Sequence, residues 1–174
     1  MKLLYLLRHT KSSWDDPSID DFERPLNKRG RKAATLLAEY CLAHTIRPAV
    51  VLCSPAKRTR QTLETLQPAL GDVPATFDRR LYEATRQTLQ ALIGELPRSC
   101  RSALLVGHNP GMQRLALHLV RADPDNPSLR LLSDKFPTGG LLTLSAETDV
   151  WSQSAVGNWT LDSFVRPSDL GGED

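Results

Sequence analysis

Leu3-Leu4-Tyr5-Leu6-Leu7-Arg8-His9-Thr10 begins almost at the N-terminus, and its abrupt change of character decides the fold. The bulky apolar run reads as a buried β-strand. The chain then turns polar through Thr10-Lys11-Ser12-Ser13. An Arg and a His where a buried parallel strand meets a loop stand where open α/β sheets place their ligand sites. Taken alone, the pair reads equally as a strand end with a solvated Arg and a locally satisfied His.

Composition narrows the classes. The 174 residues fit one domain, 1–174, and a net charge of +2 gives none of the basic excess of a nucleic-acid binder. No apolar stretch reaches the length of a membrane span. Arg8 interrupts the N-terminal apolar run too early for a signal peptide. Cys41, Cys53 and Cys100 are far apart and fall in no C-x-x-C pattern, which suits small buried residues of a cytoplasmic protein rather than disulfides or a zinc site.

Outward from the first strand, residues 10–25 form a polar loop carrying Trp14, Asp15, Asp16, Asp20, Asp21 and Glu23. It is either a substrate rim or a solvated connector. Asn27 is a good N-cap for a helix whose apolar stripe runs Ala33, Leu36, Leu37, Tyr40, Cys41. Ala49–Cys53 is a second buried strand. Ser54 can cap the next helix and Pro55 suits its first position, which puts Arg58 in the first turn. A cation beside a helix N-terminus is unfavourable unless an anion lies between them. A short strand is expected around Ala75–Phe77 and a helix over Thr85–Leu96 with Leu89, Leu92 and Ile93 inward. Glu83 precedes that helix; on local sequence it reads equally as a dipole-facing carboxylate.

Ala103–Val106 is a clear strand running into Gly107-His108-Asn109-Pro110, with Pro110 able to start the following helix. Residues 122–137 contain three prolines and are expected to be mostly loop. Leu141–Leu144 and Asn158–Val165 read as strands, the latter at a sheet edge. The Gly-rich acidic tail from Pro167 is expected to fray. The alternation of strand and helix predicts a three-layer α/β/α sandwich with a largely parallel central sheet and helices on both faces.

Parallel strands share an edge at their C-terminal ends, so Arg8, His9, Arg58 and His108 can converge. Two guanidinium groups and two imidazoles make a pocket for a phosphoryl group: Arg supplies paired planar donors, and a neutral His can attack phosphorus. No metal cluster is evident, and the arginines supply the charge neutralisation that a metal ion supplies elsewhere.

On Leu7-Arg8-His9, Leu26-x-x-x-Gly30, Ser54-Pro55-x-x-Arg58-x-x-Gln61-Thr62 and Val106-Gly107-His108-Asn109, in that order, the chain resembles the histidine phosphatase (phosphoglycerate mutase-like) superfamily. The resemblance implies His9 as nucleophile through a phosphohistidine intermediate. It implies Arg8, Arg58 and His108 as holders of the phosphoryl oxygens and Glu83 as proton donor to the leaving group. Ser12 and Asn109 fall to substrate binding, and Ser12 and Trp14 match a frequent pattern after the nucleophile. Two positions depart from the pattern: Thr10 stands where Gly is usual, and Asp15 where Asn is frequent. A carboxylate near phosphate repels it, so Asp15 is expected to face away or to meet a cationic part of the substrate.

The short segment between Glu83 and His108 leaves no room for a lid. The compact start, Arg8-His9-Thr10-Lys11-Ser12-Ser13-Trp14, is similar to the small SixA-type branch. That resemblance implies removal of phosphate from phosphohistidine on a phosphotransfer protein. With the readings above, the expectation is a cofactor-free, metal-independent, monomeric cytoplasmic phosphatase. The alternatives are a phosphatase of small phosphate esters and a non-catalytic phosphoprotein-binding module.

Overall fold

The computed structural model describes residues 1–152 and 157–174. Among these residues six strands form one sheet: β1 (Lys2–Arg8), β2 (Val50–Cys53), β3 (Ala75–Phe77), β4 (Ser102–Gly107), β5 (Leu141–Ala146) and β6 (Thr160–Val165), in the order β3-β2-β4-β1-β5-β6. The first four run parallel, while β5 and β6 are antiparallel to their neighbours. The sandwich expected from sequence is therefore present, with the antiparallel pair closing one edge. Among the described residues, five helices cover the sheet: α1 (Lys28–Ala43), α2 (Lys57–Leu70), α3 (Arg86–Gly94), α4 (Gly111–Leu119) and α5 (Pro127–Asp134).

The period-two alternation of β1 sorts the two cores. Leu4 and Leu6 face a cluster with Leu89, Leu115 and Leu132 from α3, α4 and α5. Tyr5 and Leu7 face the other, with Leu37 and Cys41 of α1 and Leu63 and Leu66 of α2. All three cysteines are free and buried, and burial pushes the Cys41 and Cys53 thiols up to about 12.

Parallel register sets the site. Arg8 pairs with Gly107, and the turn beyond is closed by His9 N–H donating to the Gly107 carbonyl at 3.1 Å. Ser54 N–H donates to the Val106 carbonyl at 3.0 Å. The C-terminal ends of β1, β2 and β4 are thus level, and the residues that follow emerge side by side.

Three expectations need correction. Residues 122–137 are not mostly loop, because Pro127–Asp134 is helical. Pro127 sits in the first turn, where its missing N–H costs nothing, and Asn126 caps it by accepting from Ser128 and Leu129. Leu132 is then fully buried. Ser54 does not cap α2; Ala56 holds that position without a side-chain cap, and the Ser54 hydroxyl turns to His108. The tail does not fray either. Pro167–Leu170 forms a 3-10 turn, Glu173 pairs with Arg29, and Gly172 lies against Leu36 of α1.

Asn27 caps α1 as expected, accepting from Gly30 N–H at 2.8 Å. Gly30 faces the carbonyl of Lys11 so closely that a Cβ there would overlap its oxygen. The same loop is tied down by Asn27 N–H donating to the Lys11 carbonyl at 3.0 Å. Gly30→Ala must therefore push the loop after His9 away from α1. We expect a loss of roughly 2 kcal/mol, read as a fall of about 6 °C in the thermal midpoint. An unchanged midpoint would show that the close approach is not needed.

Candidate active site

Arg8 ends β1 with its Nη1 donating to the Phe136 carbonyl at 2.8 Å. His9 follows, buried, with Nδ1 2.7 Å from the Thr10 carbonyl oxygen. A carbonyl can only accept, so Nδ1 carries the proton and the neutral ring keeps its lone pair on Nε2. Thr10, despite its size, is accommodated: its N–H donates to Thr62 Oγ1 at 3.1 Å, and its methyl sits over Gly139. Thr62 in turn donates to the Arg58 carbonyl at 2.7 Å, tying the nucleophile loop to α2.

His108 follows β4, with its ring centroid 5.3 Å from that of His9. Its Nε2 lies 2.7 Å from Ser54 Oγ, while Nδ1 is buried and finds no partner among the described residues. Arg58, in the first turn of α2, is 5% exposed. Its Nη1 and Nη2 grip Asp21, donating to the backbone carbonyl at 2.6 Å and the carboxylate at 3.1 Å. The Nε atoms of Arg8 and Arg58 are buried without a partner among the described residues. Buried donors of this kind are rare and need an explanation.

Asp21, Arg24 and Tyr82 complete the site, and the sequence reading missed their roles. Asp21 accepts from Arg58, from Arg24 Nε at 3.0 Å and from Tyr82 OH at 2.5 Å. Burial raises its carboxyl, but the Tyr82 hydrogen bond, the Arg58 charge and Arg24 outweigh this and hold it at about 2. Burial and the hydrogen bond to Asp21 push Tyr82 up to about 12. The Tyr82 ring meets His108 edge-on at 5.5 Å. Arg24 is buried, donates to Ser12 Oγ at 2.7 Å, and lies 3.6 Å beneath the indole of Trp14. The one available signal was the clustering of Asp21 and Arg24 on a loop beside the first strand.

These residues enclose a cleft of about 230 Å³. Arg8, His9, Arg58 and His108 line it with Lys11 and Arg24; Ser12, Trp14, Asn109 and Thr138 complete the wall. No carboxylate is among the lining residues, so the cleft is built for an anion. Asn109 lines it while its Nδ2 donates to the Phe136 carbonyl at 3.1 Å and its Oδ1 caps α4 at Gln113 N–H. Arg8 and Asn109 thus share one carbonyl as their anchor. Asp15 is exposed and off the lining, as its charge requires.

Glu83 is not brought to the wall. It is exposed, outside the lining, and has no side-chain hydrogen bond or ion pair with the described residues. Its φ of 53° is left-handed, a conformation that costs a non-glycine residue about 1 kcal/mol. No residue between Glu83 and His108 lines the cleft, since α3 and β4 occupy that segment. Among the described residues, no three His, Cys, Asp or Glu side chains come together as a metal site. No helix among them is long and apolar enough to cross a membrane.

The sheet edge of this α/β protein presents two buried histidines and three arginines to a cleft with no lining carboxylate, a site that attracts anions. The profile of the histidine phosphatase superfamily (branch 1) matches residues 4–92. The uncharacterized protein Rv1276c of Mycobacterium tuberculosis is 36% identical over 92% of this chain and 99% of its own. Two solved structures, each provisionally assigned as the phosphohistidine phosphatase SixA, superpose closely. The Nakamurella multipartitia protein has a TM-score of 0.83 at 28% identity, covering 95% of this chain and 96% of that one. The Agrobacterium tumefaciens protein has 0.79 at 32%, covering 95% and 99%. The chain belongs to the histidine phosphatase superfamily and is SixA-like within it.

Burial, reinforced by the charges of His108, Arg58 and Arg8 against the opposing Thr10 hydrogen bond, holds His9 well below its ordinary 6.5. Burial and then Arg58 bring His108 down to about 3. The unfolded chain takes up these protons near pH 6.5 while the folded chain does not. Stability is therefore undiminished above that pH and falls as pH drops below it, by about 1.4 kcal/mol per unit for each neutral histidine. Asp21 adds a further loss as pH falls from 3.8 toward 2. We expect His9 and His108 to show no imidazole titration by NMR between about pH 8 and 5. The thermal midpoint should decline from about pH 6 downward, less steeply in His108→Asn. A histidine-like titration of either ring near neutrality would refute the assignment.

Proposed function

We propose that the protein is a phosphohistidine phosphatase acting on phosphorylated histidine of a protein, without a metal ion, through a covalent intermediate on His9. The observation that carries this reading is the bond between His9 Nδ1 and the Thr10 carbonyl. It leaves Nε2 unprotonated in a ring that burial keeps neutral, which is what a nucleophile requires.

The phosphoryl oxygens meet Arg8, Arg58 and His108, which line the cleft beside His9. On this reading Ser54 donates to His108 Nε2 and that ring's proton lies on Nδ1, the nitrogen without a protein partner among the described residues. As the His9 Nε2–P bond forms in line, the P–N bond to the substrate imidazole breaks. The leaving ring departs neutral, carrying the proton already on its second nitrogen. Water then attacks phospho-His9, both its hydrogens leave with the phosphate, and Nε2 regains its lone pair. Arginines do the charge neutralisation that the equatorial oxygens require.

The exposed position of Glu83, off the lining, favours phosphohistidine over an alkyl phosphate. An alkoxide needs a positioned acid, whereas a protonated N-phosphoimidazole does not. An uncovered cleft also admits a side chain presented by a protein surface.

Turnover of a phosphohistidine-bearing phosphotransfer domain should exceed that of small phosphate monoesters without added metal. His9→Ala should abolish it, a loss of at least about 10³-fold, and remove the acid-labile ³²P label from wild-type protein quenched during turnover. Glu83→Gln should change the protein substrate's rate less than about threefold. A labelled or active His9→Ala protein would sink the mechanism. Preference for one monoester with a large Glu83→Gln effect would instead favour a small-molecule phosphatase.

A further inference from the structure

The cleft mouth carries one feature that phosphoryl binding does not use. Of the three tryptophans, Trp151 and Trp159 are buried, whereas Trp14 is 75% exposed while lining the cleft. A large apolar ring left this open is unusual unless something packs on it. The ring is not loose. Its inner face lies 3.6 Å from the Arg24 guanidinium. Arg24 is 8% exposed and held by Asp21 at 3.0 Å, Ser12 at 2.7 Å and the Ser13 carbonyl at 3.2 Å. A rigid aromatic platform of this kind contributes contact area at low entropic cost.

Its place in the cleft says what it fits. The phosphoryl group is held by Arg8, Arg58 and His108, so an in-line leaving group projects outward from His9 toward the mouth. Trp14 contributes a flat π-face to the lining, which contains no carboxylate that could act as an acid. A planar ring stacks on such a face; an alkyl chain gains little from it. Arg24 backs the indole and is also bonded to Asp21, which grips Arg58. The platform and the phosphoryl pocket are therefore held in one geometry.

We infer that Trp14 is a specificity-determining residue whose exposed indole face stacks on the imidazole ring of the phosphohistidine substrate, selecting ring-bearing P–N substrates. The inference rests on the function proposed above.

Two small probes test it: phosphoimidazole, which has the ring, and phosphoramidate, which has the P–N bond without it. Trp14→Ala should lower kcat/KM for phosphoimidazole roughly tenfold, mostly through KM, and leave phosphoramidate within about twofold. Trp14→Phe, which keeps a ring, should recover most of the loss. Inhibition by vanadate, which occupies only the phosphoryl pocket, should be unchanged in both, showing that the pocket is intact. Equal losses for both probes, or weakened vanadate inhibition, would reduce Trp14 to a structural support of Arg24 and overturn the inference. So would a loss seen with a phosphohistidine-bearing protein but not with phosphoimidazole. If the wild-type protein hydrolyses neither P–N probe but turns over phosphate monoesters, the parent reading fails instead.

Discussion

The level alignment of three parallel strand ends is the constraint on which everything else in this molecule depends. Arg8 opposite Gly107, the His9 N–H on the Gly107 carbonyl and the Ser54 N–H on the Val106 carbonyl place three chain reversals within side-chain reach of one another. Slip the register of β1 by one residue and its faces exchange: Leu4 and Leu6 would enter the layer now filled by Tyr5 and Leu7. The two cores therefore enforce the register, and the register assembles the site. Stability and chemistry are set by the same ladder of backbone hydrogen bonds.

Around that edge, one carboxylate organises three cationic or polar side chains. Asp21 joins Arg58 of α2 to Arg24 of the rim loop and to Tyr82, which abuts His108. Two arginines facing each other across a small cleft repel. A carboxylate between them lowers that cost and freezes both guanidinium groups in place. It approaches from behind the lining, so the cleft itself keeps its positive character. Salt bridges on exposed surfaces contribute little; here Arg58 and Arg24 are nearly sealed from water while the Asp21 side chain is 41% exposed, so the pairs are screened from one side only.

Much of this could be read before the coordinates, for physical reasons. Apolar runs that stop abruptly at Arg8, Cys53 and Gly107 mark buried strand ends, and residues that follow such ends are constrained to one edge. Arg8, His9, Arg58 and His108 inherit that certainty. Asp21, Arg24 and Tyr82 do not, because they reach the site from a loop and a turn whose sequence has no period. Helix α5 stayed hidden because three prolines look like breakers unless one occupies a first turn, as Pro127 does. The tail looked mobile because its glycines suggested freedom, yet Gly172 is what lets it lie against Leu36. Ser54 is a different case: its sequence position offered a cap, but Ala56 takes that position and the Ser54 hydroxyl is shared between the Ala56 N–H at 3.4 Å and His108.

That sharing shows how the site is tuned. A helix N-terminus left without its side-chain cap loses about 1 kcal/mol, and here α2 goes without. The hydroxyl instead fixes a histidine whose other nitrogen is buried and unpartnered among the described residues. The same pattern recurs at Arg8 Nε and Arg58 Nε, buried donors with no protein acceptor among those residues. Each would be costly alone, since a buried polar group without a partner loses its hydration and gains nothing. Arg8, Arg58 and His108 all line one cleft that carries no carboxylate. The fold accepts a local loss of stability where the sheet and both cores are strong enough to carry it.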